Sequence, residues 1–179
     1  FYIDSNNSYD IFLFSVPSFY QNYKEYLAML IIDNLFCDDL VGIFYKSLRE
    51  EKGIIYSLYS FYPTLFLTSY YLIILASDSK DKEFKVFYEI KGILENYKKQ
   101  NNLKIEINQA KIRVINKVYL VFDNPDSFIF SMIYPILYKN KYITPFYLID
   151  NLYYLDEDYI IQVMDKYLSN FYAFRIVGN

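Results

Sequence analysis

The sequence predicts an α+β fold, in which helices pack mainly on one face of an antiparallel-rich mixed β-sheet. Apolar runs of strand length lie near the start, in the middle and at the end of the chain, at about residues 9–16, 54–77 and 171–177. Between these runs, apolar residues recur three and four positions apart, as expected for helices with one buried face. The resulting order lacks the regular strand–helix alternation that is typical of a parallel sheet.

The chain opens with a predicted strand at residues 9–16, followed by a helix at residues 23–36 that carries a wide apolar stripe. Asp38 and Asp39 are expected to cap a second helix. The apolar face of this second helix comprises Val41, Phe44, Tyr45 and Leu48. Gly53 is placed to end the helix in the left-handed conformation that glycine adopts without strain.

Residues 54–77 carry no charged side chain, and two interpretations are open. The stretch is long enough to span a bilayer as a single helix. Pro63 and the interspersed Ser, Thr and Tyr residues favour instead two antiparallel strands, at about residues 54–61 and 65–77, joined near residues 62–64. We therefore expect no membrane-spanning segment.

The next part of the chain is predicted to be helical. Residues 78–81 form a polar turn that starts a helix reaching about Lys99. A second helix is expected at about residues 104–122, and residues 123–126 interrupt it. A further helix then reaches towards Pro135.

Two capped helices and a strand complete the prediction. Thr144 caps a short helix that has Pro145 in its first turn, and Asp156 starts the last helix. The apolar stripe of that last helix comprises Ile160, Val163, Met164, Tyr167 and Leu168. Residues 171–177 close the chain as a strand.

The composition excludes most kinds of independent catalytic site. The chain has no histidine, so it cannot supply the imidazole ligands of a common zinc site or the base of a Ser/His/Asp or Cys/His site. Its 4 glycines are too dispersed for a phosphate-binding loop. Acidic neighbours at residues 38–39 and 156–158 could bind Ca²⁺, but their position at helix starts favours capping. A net charge of −3 argues against a nucleic-acid or anionic-membrane partner.

Composition also bears on location and on domain organisation. The single cysteine, Cys37, excludes an internal disulfide and fits a reducing compartment, so we expect a cytoplasmic location. The 23 Tyr and 16 Phe are typical of an AT-biased coding genome, and an aromatic surface that binds a small molecule is an alternative. Residues 1–179 suit a single domain, and an opening Phe1 indicates a fragment or one half of a longer protein.

Arg49 and Tyr56 flank the predicted joint between the second helix and the following strand. A guanidinium presents a fork of donors suited to a carbonyl or carboxylate, and tyrosine adds a hydroxyl. Such a pair could hold a peptide backbone or stabilise an oxyanion beside a metal on another domain. On spacing alone, the simpler interpretation is that Arg49 pairs with a neighbouring carboxylate and that Tyr56 is one of many packed tyrosines.

Residues 48–57, Leu-Arg-Glu-Glu-Lys-Gly-Ile-Ile-Tyr-Ser, resemble a signature of the pitrilysin family of zinc metallopeptidases, which includes insulinase and mitochondrial processing peptidase. The resemblance covers most of the chain, including Glu-Ile and Ala-Lys within residues 106–111 and Lys-Tyr-Leu at residues 166–168. In the family, this signature occurs in the domain that does not hold the metal. The chain differs where Cys-Asp-Asp at residues 37–39 replaces a glycine-rich turn.

The resemblance implies a C-terminal-type, non-metal-binding domain that completes a substrate chamber. Arg49 and Tyr56 match the Arg and Tyr that this half contributes to the catalytic centre, so they are candidates for substrate binding. No cofactor is implied in this chain; zinc is expected on a partner domain. The implied partners are a peptide substrate and a catalytic half-domain or subunit of the same family, on the same polypeptide or another one.

The resemblance leaves two functions open. Because the chain lacks His-x-x-Glu-His, it should be inactive on its own even as part of a metallopeptidase. The alternative is a proteolytically inactive structural or assembly module of the same fold, as in the family's respiratory-complex core subunits.

Overall fold

The computed structural model describes residues 2–3, 7–63, 69–78, 84–99, 101–139 and 143–178. It confirms the α+β class. Three predicted features fall at least partly outside the described residues. These are the connection between the two middle strands, at residue 64, the first part of the second of these strands, at residues 65–68, and most of the polar turn at residues 78–81.

Five strands form one sheet in the order β1-β5-β2-β4-β3. Their bounds are Tyr2–Ile3 (β1), Asn7–Val16 (β2), Ser57–Phe61 (β3), Ser69–Asp78 (β4) and Tyr172–Gly178 (β5). Strands β2 to β5 pair antiparallel, and the two-residue β1 adds to the edge of β5 in parallel. The sheet is therefore mixed and antiparallel-rich, as predicted.

The helices fall close to their predicted positions. Their bounds are Tyr23–Cys37 (α1), Lys85–Asn96 (α2), Leu103–Tyr119 (α3), Pro125–Lys139 (α4), Pro145–Tyr153 (α5) and Glu157–Leu168 (α6). A π-helix occupies Tyr45–Glu51, and short 3₁₀ turns extend α2 and α3 at their carboxyl ends. Helix α4 was predicted to reach towards Pro135, and in the structure it continues beyond that residue to Lys139.

Side-chain caps are confirmed at two of the three predicted places. Thr144 accepts the N–H of Tyr147 at the start of α5, and Asp156 accepts the N–H of Tyr159 at the start of α6. The prediction that Asp38 and Asp39 cap the second helix is wrong, because helical residues begin only at position 43. Asp38 instead accepts the N–H of Leu40, at 3.3 Å, and so holds the preceding turn.

One face of the sheet carries the core. Phe12 and Phe14 of β2 are fully buried and lie opposite Ile73 and Tyr71 of β4. The ring of Phe12 stacks on Phe87 of α2, with 5.9 Å between the ring centres. Helices α1, α3 and α6 pack with the same core cluster. The predicted placement of helices mainly on one face of the sheet is thus confirmed.

The opposite face of the sheet, called the outer face below, is apolar across all four antiparallel strands. At its centre, strand register places eight side chains in two neighbouring rows, Tyr59–Ile74–Ile11–Phe174 and Phe61–Leu72–Leu13–Tyr172. Tyr59 and Tyr172 at the ends of these rows are 65% and 73% exposed. None of these eight side chains carries a charge. A surface of this composition is typical of an interface.

The uncharged stretch at residues 54–77 contributes β3 and β4 in its described part, which supports the two-strand interpretation. No helix within the described ranges is both long enough and apolar enough to cross a membrane.

Candidate functional site

The joint between the π-helix and β3 is closed by Gly53. Its φ of +62° lies in the left-handed region, as predicted for the residue that ends the helix. The N–H of Ile54 then donates to the carbonyl of Leu48, at 2.9 Å. Hydrogen bonds in a π-helix join residues five apart, rather than four apart as in an α-helix. The closing bond at this joint joins residues six apart.

Buried side chains fix the joint to the body of the domain. Leu48 is fully buried before the turn, and Ile55 is 4% exposed after it. On the surface, Lys52 forms an ion pair with Glu89 of α2. The backbone that carries the candidate residues is therefore anchored from both sides.

Arg49 is exposed, and no residue that the structure describes accepts a hydrogen bond from its guanidinium. Its guanidinium carbon lies 5.1 Å from the centre of the Tyr45 ring. Among the described residues, no carboxylate pairs with it, although Glu50 and Glu51 follow it directly. The simpler interpretation of Arg49, as a surface ion pair with a neighbouring carboxylate, does not fit this geometry.

Tyr56 projects from the first residues after the joint. Its side chain is 55% exposed, so it is not one of the packed core tyrosines. Its backbone N–H donates to the carbonyl of Ala76, at 2.8 Å, and ties the residue to β4. Arg49 and Tyr56 lie on either side of Gly53 and make no hydrogen bond or cation–π contact with each other.

Tyr45 was missed as a functional candidate, because its position suggests only a place on the apolar face of the helix. It is half-buried, and its ring lies beside the guanidinium of Arg49. The spacing of four residues between an aromatic and a cationic side chain on one helix is the signal that could have identified it.

A buried polar cluster on the core side of the sheet contains the single cysteine. The Tyr71 hydroxyl donates to Asp33 at 2.9 Å and lies 3.1 Å from the sulfur of Cys37. Burial raises the pKa of the Cys37 thiol well above its ordinary value. A buried, protonated thiol is a poor nucleophile, so Cys37 does not add a catalytic group.

The acidic residues at the start of α6 are engaged in structural contacts. Asp156 caps the helix. Glu157 pairs with Lys111 at 2.9 Å, and Asp158 pairs with Lys104 at 2.7 Å. These contacts account for the acidic neighbours without a bound Ca²⁺.

The residues of this chain do not fit a zinc site. The sequence contains no histidine. In the part of the chain that the structure describes, no three or more Cys, Asp or Glu side chains group in a way that could hold a metal ion.

A protein-family comparison gives a match over most of the chain. Residues 4–113 match the family model for the Peptidase M16 inactive domain, where M16 is the pitrilysin family. The comparison with curated protein sequences gives no match.

Solved structures share the fold along almost the whole chain. A protease from Helicobacter pylori aligns with a TM-score of 0.84 and 16% identity, over 98% of this chain and 42% of that one. A peptidase M16 inactive domain from Pseudomonas fluorescens aligns at 0.79 and 13%, over 99% and 42%. A chain of complex III2 from Candida albicans aligns at 0.75 and 11%, over 99% and 44%. The present chain thus spans less than half the length of each of these three.

Proposed function

Because this chain belongs to the inactive-domain family of the M16, or pitrilysin, peptidases, we propose that it completes the substrate chamber of a zinc metalloendopeptidase. The metal site lies on a catalytic half, either on the same polypeptide or on a partner subunit. Residues 1–179 form one domain of this assembly. The chain itself contributes surface and side chains that hold the peptide.

The exposed guanidinium of Arg49, for which no described residue provides an acceptor, is the observation that carries the substrate-binding role. A guanidinium presents five N–H groups in a planar fork, which matches peptide carbonyls and carboxylates. Tyr56, exposed just beyond the joint, adds a hydroxyl donor. With the anchored backbone between them, both side chains are available to hydrogen-bond with a peptide.

The outer face supports assembly with another domain. It exposes five aromatic side chains, of which Tyr70 lies on β4 two residues before Leu72 and so on the same face: Tyr59, Phe61, Tyr70, Tyr172 and Phe174. From typical aromatic side-chain areas, the exposed fractions amount to roughly 400–700 Å². This range overlaps and extends above the size of the largest apolar patch on a typical monomer, about 300–600 Å². Its upper end approaches the area that one partner buries in a standard interface, about 800 Å². We assign the catalytic half as the partner that covers this face.

A second function, a structural or assembly module without a proteolytic role, is favoured by the likeness to the complex III2 chain. The presence of His-x-x-Glu-His in the same reading frame, or in a co-purifying partner, separates the two functions. Its absence from both would favour the structural module. We also propose a cytoplasmic location, which the free thiol of Cys37 supports.

The substrate-binding role is tested by Arg49→Ala and Tyr56→Phe in the assembly with the catalytic half. Each change removes a donor to the bound peptide, and a hydrogen bond to a charged group corresponds to roughly tenfold or more in affinity or rate. We therefore expect peptide turnover to fall at least tenfold for Arg49→Ala and by a smaller factor for Tyr56→Phe. Turnover is measured with a quenched fluorescent peptide at fixed concentration.

Two exposed positions away from these donors provide matched controls. Lys46→Ala removes a cation from the same helix, and Tyr88→Phe removes an exposed hydroxyl on α2. Both controls should retain wild-type turnover. Unchanged turnover in Arg49→Ala and Tyr56→Phe, with intact thermal unfolding, would contradict the substrate-binding role.

A further inference from the structure

Tyr45 and Arg49 form a cation–π pair on the more exposed side of the π-helix. Residues four apart on a helix are surface neighbours, and here the guanidinium carbon lies 5.1 Å from the centre of the ring. Phe44 and Leu48, the preceding neighbours of Tyr45 and Arg49 in sequence, are fully buried and fix the rotation of the helix. The ring of Tyr45 is therefore held in place beneath the cation.

A guanidinium beside an aromatic ring keeps its N–H donors available, whereas a guanidinium paired with a carboxylate does not. A carboxylate would occupy two N–H donors of the fork and neutralise the charge. A ring contacts the flat face of the guanidinium and leaves the donors at its edge free for a ligand. In the described part of the chain, the Arg49 fork has no acceptor, so the contact with the ring of Tyr45 does not occupy its N–H donors.

We propose that Tyr45 is a positioning residue for Arg49, which presents the edge of the guanidinium to a peptide carbonyl or carboxylate. This inference rests on the proposed substrate-binding role of Arg49. It identifies the ligand group at this point as a hydrogen-bond acceptor, because a guanidinium offers only donors and no described residue accepts from them. The Tyr45 hydroxyl makes no hydrogen bond with any described residue, so the ring alone carries the role.

The test compares Tyr45→Phe, which keeps the ring, with Tyr45→Leu, which removes it and keeps apolar volume. In the assembly with the catalytic half, Tyr45→Leu should lower turnover of the quenched peptide about two- to fivefold, the factor expected of an exposed cation–π contact. Tyr45→Phe should restore wild-type turnover. In an Arg49→Ala background, Tyr45→Leu should have no further effect, because the side chain that it positions is gone.

A second measurement needs no variant and no substrate. In NMR spectra of the wild-type chain, the side-chain protons of Arg49 should be shifted upfield by the Tyr45 ring relative to those of Arg113, which hydrogen-bonds to Asn34 instead. Absence of this shift would overturn the inference even if Tyr45→Leu failed to fold.

The outcomes separate this inference from the proposed function. Wild-type turnover in Arg49→Ala contradicts the substrate-binding role itself. Lowered turnover in Arg49→Ala with wild-type turnover in Tyr45→Leu overturns only the positioning role. A loss in Tyr45→Leu that persists in the Arg49→Ala background also overturns it, because a merely structural residue would behave in that way.

Discussion

Glu25 connects the first helix to the last. Lys166 donates to one of its carboxylate oxygens at 2.6 Å, and the Tyr167 hydroxyl donates to the other at 2.5 Å. Burial alone would raise the pKa of Glu25, but the hydrogen bonds from Lys166 and Tyr167 outweigh it and lower that pKa below the ordinary value of 4.5. Lys166 and Tyr167, two residues of the Lys-Tyr-Leu motif near the end of the chain, thus hold α6 against α1.

The lowered pKa predicts how stability depends on pH. Since the folded pKa lies below the unfolded one, the Glu25 carboxylate stabilises the fold fully above about pH 4.5, and this contribution is lost as pH falls through the folded pKa. Glu25→Gln should lower the free energy of unfolding by about 1–3 kcal/mol at neutral pH. It should also remove part of the loss of stability on acidification, measured by urea unfolding at pH 7 and pH 3.

An exposed carboxylate is the matched control for Glu25→Gln. Glu95 pairs with Lys91 at 3.8 Å on the surface of α2 and is 63% exposed in its side chain. Pairs of this kind contribute little, so Glu95→Gln should leave the free energy of unfolding nearly unchanged. Equal effects of the two substitutions would show that the contacts of Glu25 do not stabilise the fold.

The element that positions the candidate site is the turn at Gly53, between the π-helix and β3. A Cβ added at Gly53 would meet no atom within 4 Å, so a side chain there costs only the left-handed conformation, about 1–2 kcal/mol. Gly92 in α2 is equally open but its φ does not lie in the positive range. Alanine at that position should stabilise the helix by about 0.5–1 kcal/mol.

Alanine substitutions at the two glycines are therefore expected to change the free energy of unfolding in opposite directions. Gly53→Ala should lower the free energy of unfolding and Gly92→Ala should raise it, in urea titrations under the same conditions. A neutral or stabilising Gly53→Ala would contradict the assignment of the turn to the left-handed region.

Most elements could be predicted from the sequence because their signals are local. Apolar periodicity predicts α1 and α6, and the caps at Thr144 and Asp156 mark two helix starts. The second helix was predicted but its π type was not, because the buried residues Phe44 and Leu48, four positions apart, fit an α-helix equally well. The cap assigned to Asp38 and Asp39 was wrong because an aspartate stabilises a turn as readily as a helix start.

The candidate site was only partly predictable. Arg49 and Tyr56 were identified through a family resemblance, whereas spacing alone favoured ordinary surface and core roles. The contact of Arg49 with Tyr45 depends on which rotamer the cation adopts. Contacts between distant segments, such as Glu25 with Lys166, depend on tertiary packing and leave no local signal.

At the scale of the whole molecule, the outer face and the candidate site support the proposal that this chain is one half of an assembly. The outer face exposes aromatic side chains that a second domain would bury. The N–H donors of Arg49 have no acceptor among the described residues. The aligned protease from Helicobacter pylori is more than twice as long as this chain, since the chain spans 42% of it. Together these features fit a domain that acts beside a metal-bearing half.

The most direct test measures peptide hydrolysis by the polypeptide that carries His-x-x-Glu-His, from the same reading frame or an adjacent gene, with and without this chain. If the chain completes the chamber, kcat/KM should rise at least tenfold and saturate as the chain concentration increases. An identical kcat/KM at every concentration of the chain would contradict the proposed function.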